Sequence, residues 1–164
     1  MKTLYLIRHA KSSWKDFTLS DIDRPLNNRG KRDAPEMGRR LKEKNILPSL
    51  IISSPALRAF TTAKIIANQI GYSEESIITE KDLYECNSSG IIELIKKTEN
   101  AKDPIYIFGH NPEFTDLANY FTKKNISNIP TCGIFCVNFD VTDWTEISPR
   151  NAGLVFFDFP RNNK

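Results

Sequence analysis

The chain is expected to fold as an α/β protein, a three-layer α/β/α sandwich whose central sheet is mostly parallel and ends in an antiparallel carboxyl-terminal hairpin. Three observations predict this. Two short apolar runs, Leu4 to Ile7 and Ile105 to Phe108, each stop at a polar edge, as strands buried on both faces do. Between them lie stretches with apolar residues at helical spacing. After Pro130 the pattern changes to short segments rich in β-formers.

Leu4 to Ile7 reads as the first central strand and runs into Arg8, His9 and Ala10, followed by a loop with Lys11, Ser12, Ser13, Trp14 and Lys15. Asn27 is a good N-cap for a helix over about 28 to 44, with Ala34, Met37, Gly38 and Leu41 forming its buried stripe. Pro35 inside it removes a backbone hydrogen bond and should kink or delay the early turns. Leu50 to Ile52 is the second strand. Ser54 as N-cap and Pro55 at the first helical position open a helix with the stripe Ala59, Ala63, Ile66 and Ile70, stopped by Gly71.

Ile77 to Thr79 is a weak strand, and Asp82 to Glu85 reads as a loop. A helix then puts Ile91, Leu94 and Ile95 on one face and ends near Asn100. The strand Ile105 to Phe108 leads through Gly109 and His110 into a helix begun by Asn111 and Pro112, with Phe114, Leu117, Ala118 and Phe121 inward. Gly133 to Phe139, Thr145 to Ser148 and Leu154 to Phe159 read as the last strands.

At 164 residues the chain suits one domain, 1–164, with a core large enough to need neither disulfides nor a structural metal. The net charge of +3 is small and its cations are dispersed among acids, so nucleic acid is not an expected partner. Cys86, Cys132 and Cys136 are an odd number without metal-ligand spacing, which suits a reducing cytoplasm. No secretory core or membrane-length apolar run is present, so no membrane association is expected.

His9 and His110 are the only histidines, and both follow apolar strands. If those strands are parallel, both imidazoles emerge at the carboxyl edge of the sheet, where open α/β folds bind ligands. Arg8 and Arg58 would join them there, Arg58 near the N–H-rich start of its helix. Two guanidiniums and two imidazoles suit a phosphoryl group, because the guanidinium fork matches its oxygens and a neutral imidazole can attack phosphorus. A metal site is the rival reading. Arg8 beside His9 would repel a cation, and no carboxylate has zinc-like spacing to either histidine. Taken alone, Arg58 reads equally as a solvated helix residue.

Arg8-His9-Ala10, the Ser53-Ser54-Pro55 segment with Arg58, Thr62 and Ala63, and Gly109-His110-Asn111-Pro112 resemble the three signatures of the histidine phosphatase superfamily. Asp23-Arg24-Pro25-Leu26-Asn27, the run from Asp33 to Gly38, and Leu83-Tyr84-Glu85 resemble its small SixA-type phosphohistidine phosphatases. The resemblance implies a phosphoglycerate-mutase-like fold and a phosphatase without cofactor or metal. It implies His9 as nucleophile and Arg8, Arg58 and His110 as the phosphate pocket. Arg24 would line that pocket or pair with Asp21 or Asp23. Glu85 would be a proton donor, or else a loop carboxylate pairing with Lys81 or capping the helix at Ser88. Ala10 stands where the family usually has glycine, a mild change only if the backbone there has an ordinary negative φ.

The leading expectation is a cytoplasmic phosphatase acting on phosphohistidine in a phosphorylated protein, such as a histidine phosphotransfer domain. A small-molecule phosphomonoesterase with the same mechanism and a non-catalytic phosphate-binding module are the alternatives. Short connections leave little chain for a lid, which favours a substrate displayed on another protein's surface.

Overall fold

Alternation along the first strand sets up the whole architecture. In the computed structural model, which describes residues 1–162, β1 runs Lys2–Arg8, with Leu4 and Leu6 on one face and Tyr5 and Ile7 on the other. Both faces are buried, as the unbroken apolar run requires.

The remaining elements follow in chain order: α1 (Asn28–Glu43), β2 (Leu50–Ser53), α2 (Leu57–Ile70), β3 (Ile78–Thr79), α3 (Asp82–Glu85), α4 (Ser88–Lys96), β4 (Ile105–Gly109), α5 (Glu113–Thr122), β5 (Ile134–Phe139) and β6 (Ala152–Asp158). The sheet order is β3-β2-β4-β1-β5-β6. Its first four strands are mutually parallel, β5 is antiparallel to β1, and β6 is antiparallel to β5. Helices α1 and α2 cover the face of Tyr5, Ile7, Tyr106 and Phe108, while α4 and α5 cover that of Leu4, Leu6, Ile105 and Ile107. This is the expected three-layer sandwich with its antiparallel carboxyl-terminal part.

Local signals held at several ends. The Asn27 side chain accepts from the Gly30 N–H, and Gly71 closes α2 with φ 84°. Helix α1 runs through Pro35 without interruption. Gly38 then lets α1 and α2 approach, since a Cβ there would lie 2.8 Å from the Gln69 side chain.

Five assignments differ from the sequence expectation. Helix α2 begins at Leu57 and not at Pro55, because Ser54 continues the strand direction, its N–H donating to Phe108 O at 2.9 Å. Asp82–Glu85 is one helical turn, fixed by burial of Leu83 and by the Leu83 and Tyr84 N–H bonds to Glu80 and Lys81 carbonyls. Helix α4 stops at Lys96, and α5 starts at Glu113 with Asn111 Oδ1 accepting from the Thr115 hydroxyl at 2.9 Å. The β-forming run at Thr145 is a 3-10 turn, Trp144–Glu146. There Trp144 is buried with its indole N–H donating to Lys102 O, and the Asp143 side chain accepts from Thr145 N–H. Burial of one large side chain outweighs β propensity at that point.

Candidate active site

Strands β1 and β4 are neighbours in register, Arg8 opposite Gly109, so the residues after them share one sheet edge. The pairing continues one residue further, with the His9 N–H donating to Gly109 O at 3.0 Å. As a result the His9 and His110 rings lie 5.1 Å apart, tilted by 54°. Gly109 must lack a side chain here, because a Cβ would come within 2.6 Å of the buried Phe114 ring.

Both rings are held by single hydrogen bonds. His9 Nδ1 lies 2.7 Å from Ala10 O, and a carbonyl only accepts, so Nδ1 carries the proton and Nε2 keeps its lone pair. The Ala10 N–H donates to Thr62 Oγ1, which itself donates to Arg58 O, tying the turn after β1 to α2. Ala10 is not among the described residues with positive φ, so its side chain costs the backbone nothing. His110 Nε2 lies 2.8 Å from Ser54 Oγ, a bond that holds the ring in either tautomer.

The guanidiniums complete the site. Arg8 donates through Nη1 to Ile129 O at 2.9 Å, while its Nε is buried without a partner. A buried charged donor left open calls for an anion. Arg58, at the second position of α2, donates from Nη1 to Asp21 O at 2.7 Å and from Nη2 to Asp21 Oδ2 at 3.0 Å. Arg24 pairs with Asp21 at 2.9 Å, one of the two partners expected for it. It also donates to Ser13 O and Ser12 Oγ, which leaves its guanidinium few free N–H groups for a phosphoryl group.

Asp21 is the residue that sequence reasoning left at the margin. From one 3-10 turn, Asp21–Asp23, it binds Arg24, Arg58 and the Tyr84 hydroxyl, the last donating at 2.7 Å. Hydrogen bonding from Tyr84, with the two arginines, holds its carboxyl well below the usual range, so it stays ionised. Tyr84, whose ring meets His110 edge-on at 5.5 Å, was equally unmarked. Nothing local in the sequence flags an interaction between residues 63 apart; only the Leu83-Tyr84-Glu85 similarity pointed near it.

All the anticipated residues, Arg8, His9, Arg24, Arg58, Glu85 and His110, line one cleft of about 650 Å³, together with Trp14, Asp21 and Tyr84. Glu85 is exposed at its wall. It does not cap α4, a role taken by Asn87, whose side chain accepts from Gly90 N–H.

Burial, aided by the charges of His110, Arg58 and Arg8 and opposed by the Ala10 carbonyl, pulls the His9 pKa down to about 3. Burial and Arg58, opposed by Asp21, pull His110 down to about 4. Both imidazoles are therefore neutral at pH 7, as an attacking nitrogen must be. Two consequences are measurable. The pH profile of kcat/KM should show no acid limb from these histidines near 6.5, their ordinary value, and should fall only at about pH 4 or below. Unfolded, both histidines take up protons near 6.5, while in the folded protein they do so only near 4 and 3. Their contribution to stability is thus complete above 6.5 and is lost progressively as pH falls toward 3, which urea unfolding at pH 7 and pH 5 will register.

An α/β sandwich carrying two buried imidazoles, the half-buried guanidinium of Arg8 and the buried one of Arg58 at the carboxyl edge of its parallel strands presents the groups that phosphoryl chemistry requires. The histidine phosphatase superfamily (branch 1) matches residues 4–113, and the chain belongs to it. It is a phosphatase. Among solved structures, a protein of Agrobacterium tumefaciens classed as a phosphohistidine phosphatase SixA superposes with a TM-score of 0.82 at 25% identity, covering 97% of this chain and 98% of that one. A protein histidine phosphatase SixA complexed with tungstate shares the fold with a TM-score of 0.76 at 19% identity, covering 99% of both chains. By sequence, an uncharacterized chloroplast protein of Arabidopsis thaliana is 29% identical over 153 residues, 88% of this chain and 70% of that protein.

Proposed function

We propose that this phosphatase removes phosphoryl groups from histidine on a phosphorylated protein, such as a histidine phosphotransfer domain, through a covalent intermediate on His9. The observation that carries this reading is His9 itself. Its Nε2 lone pair is free because Nδ1 is committed to Ala10 O, and it stands in a cleft with the open Nε–H of Arg8.

In the first step His9 Nε2 attacks phosphorus and forms a new N–P bond. The substrate's P–N bond breaks, and its electron pair stays with the departing ring, which leaves as neutral imidazole when its other nitrogen carries a proton. In the second step water attacks phosphohistidine 9. The N–P bond electrons return to Nε2, and water's oxygen leaves in inorganic phosphate with its protons. Arg8 and Arg58 balance the charge of the phosphoryl oxygens, and His110, anchored on Ser54, donates to them in the transition state. Arg24 contributes to the pocket wall, chiefly by holding the loop from Ser12 to Asp21. The similarity to the SixA protein of Agrobacterium, over nearly the full length of both chains, supports phosphohistidine as substrate. We take residues 1–164 as a single histidine phosphatase domain. The free cysteines Cys86, Cys132 and Cys136 favour a cytoplasmic location, and no helix among the described residues is long and apolar enough to cross a membrane.

One observation favours a second reading, a small-molecule phosphomonoesterase. Glu85 lines the cleft, and an ester oxygen, unlike an imidazole nitrogen, leaves poorly without a proton donor. Rates on a histidine-phosphorylated phosphotransfer domain and on sugar phosphates, for wild type and Glu85→Gln, separate the two. We expect the phosphoprotein to be the better substrate and Glu85→Gln to keep most of that activity. Brisk hydrolysis of sugar phosphates that falls about 10²-fold in Glu85→Gln, with no release from the phosphoprotein, would establish the esterase instead.

A further inference from the structure

The cleft has a wall that the phosphoryl chemistry does not use. Trp14 lines it, yet 66% of the residue is exposed. A solitary exposed tryptophan on a loop means little by itself. This one is fixed. The Arg24 guanidinium carbon sits 3.3 Å from the centroid of the indole, backing it as a cation–π plate. Arg24 is buried and cannot swing away, because its Nε donates to Ser13 O, its Nη1 to Asp21, and its Nη2 to Ser12 Oγ. The backbone is pinned as well, with the Ser13 N–H donating to Pro25 O at 2.8 Å. The indole is thus a rigid plane bordering the cleft that holds His9, and its uncovered surface is not spent on the core.

We propose that Trp14, backed by Arg24, is the seat of the leaving group, and that it selects a planar nitrogen ring, the imidazole of phosphohistidine, over a leaving group without one. A flat ring attached to phosphorus can stack on an indole that is already immobilised, so little entropy is lost on binding. Ammonia leaving from phosphoramidate has no face to stack. A sugar leaving from a phosphate ester has no π face.

This inference rests on phosphohistidine being a substrate, and the experiment keeps the two failures apart. Free phosphohistidine, phosphoramidate and glucose 6-phosphate are assayed with wild type, Trp14→Ala and Trp14→Phe, and the phosphoramidate rate reports that each variant is folded and binds phosphoryl groups. In Trp14→Ala the ratio of kcat/KM for phosphohistidine to that for phosphoramidate should fall about fivefold or more, carried by KM, and Trp14→Phe should restore most of it. The ratio to glucose 6-phosphate should fall in parallel. Equal losses on all three donors would mean that Trp14 only props Arg24, and would overturn the proposal. An unchanged ratio would overturn it too. Wild-type protein that cleaves glucose 6-phosphate but not phosphohistidine would defeat the phosphohistidine reading itself, and the ring seat with it.

Discussion

A His9→Ala enzyme is expected to lose about 10⁴-fold or more in phosphate release, the largest effect of any single substitution in this chain. The reason is chemical and not structural. His9 is the one imidazole whose tautomer is dictated by a carbonyl partner, so it alone presents an Nε2 lone pair fixed by geometry. His110 cannot stand in for it, since its Nε2 is engaged with Ser54 Oγ. The check is to mix enzyme with a ³²P-labelled donor, denature in alkali, which preserves N–P bonds, and map the label. Wild type should carry it on the peptide containing His9, and the variant should carry none there. Label retained in His9→Ala, or phosphate release within tenfold of wild type, would remove His9 from the nucleophile's role. The substitution should leave thermal unfolding at pH 7 nearly unchanged, because the ring lines the cleft and its one hydrogen bond among the described residues is to the next residue.

Arg58→Ala should be the second most damaging change, lowering kcat by about 10² to 10³. Part of that loss is the missing guanidinium. The rest comes from Asp21, which would remain ionised beside the phosphoryl position with one cation fewer to balance it. This account makes an unusual demand on a double variant. Arg58→Ala combined with Asp21→Asn should recover some of the lost kcat/KM, although Asp21→Asn alone is damaging because it loosens Arg24, Arg58 and Tyr84 together. Strictly additive losses, measured as kcat/KM on phosphoramidate, would mean that Asp21 orders the pocket without opposing the phosphoryl charge. Arg58→Lys should recover little, since a point charge cannot make the paired contacts of the fork to Asp21.

Much of this enzyme was legible residue by residue. The apolar runs ending at His9 and His110, the stripe from Ala34 to Leu41, the Asn27 cap and the Gly71 stop all encode local backbone states, and the structure follows them. The errors share a cause. At Ser54, at Asp82–Glu85 and at Trp144–Glu146 a long-range contact or a buried side chain overrode the local pattern: Ser54 by Phe108 and His110, the α3 turn by Leu83, the last by Trp144. Arg24 was marked for the pocket and for a pair with Asp21 or Asp23, but its contacts with Ser12, Ser13 and Trp14 could not be read from its neighbours.

Sequence alone therefore determined most of the strands and helices, and the residue types that reach the sheet edge, because periodicity and capping are properties of a few consecutive residues. Only the tertiary structure decided that β4 inserts beside β1, which sets the two imidazoles 5.1 Å apart. It also decided that Asp21 binds two arginines and a tyrosine, and that Trp14 is held as a fixed plate. Apart from the Asp21–Arg24 pair, those contacts join residues well separated along the chain, and they form through packing and charge pairing in three dimensions that no local pattern records.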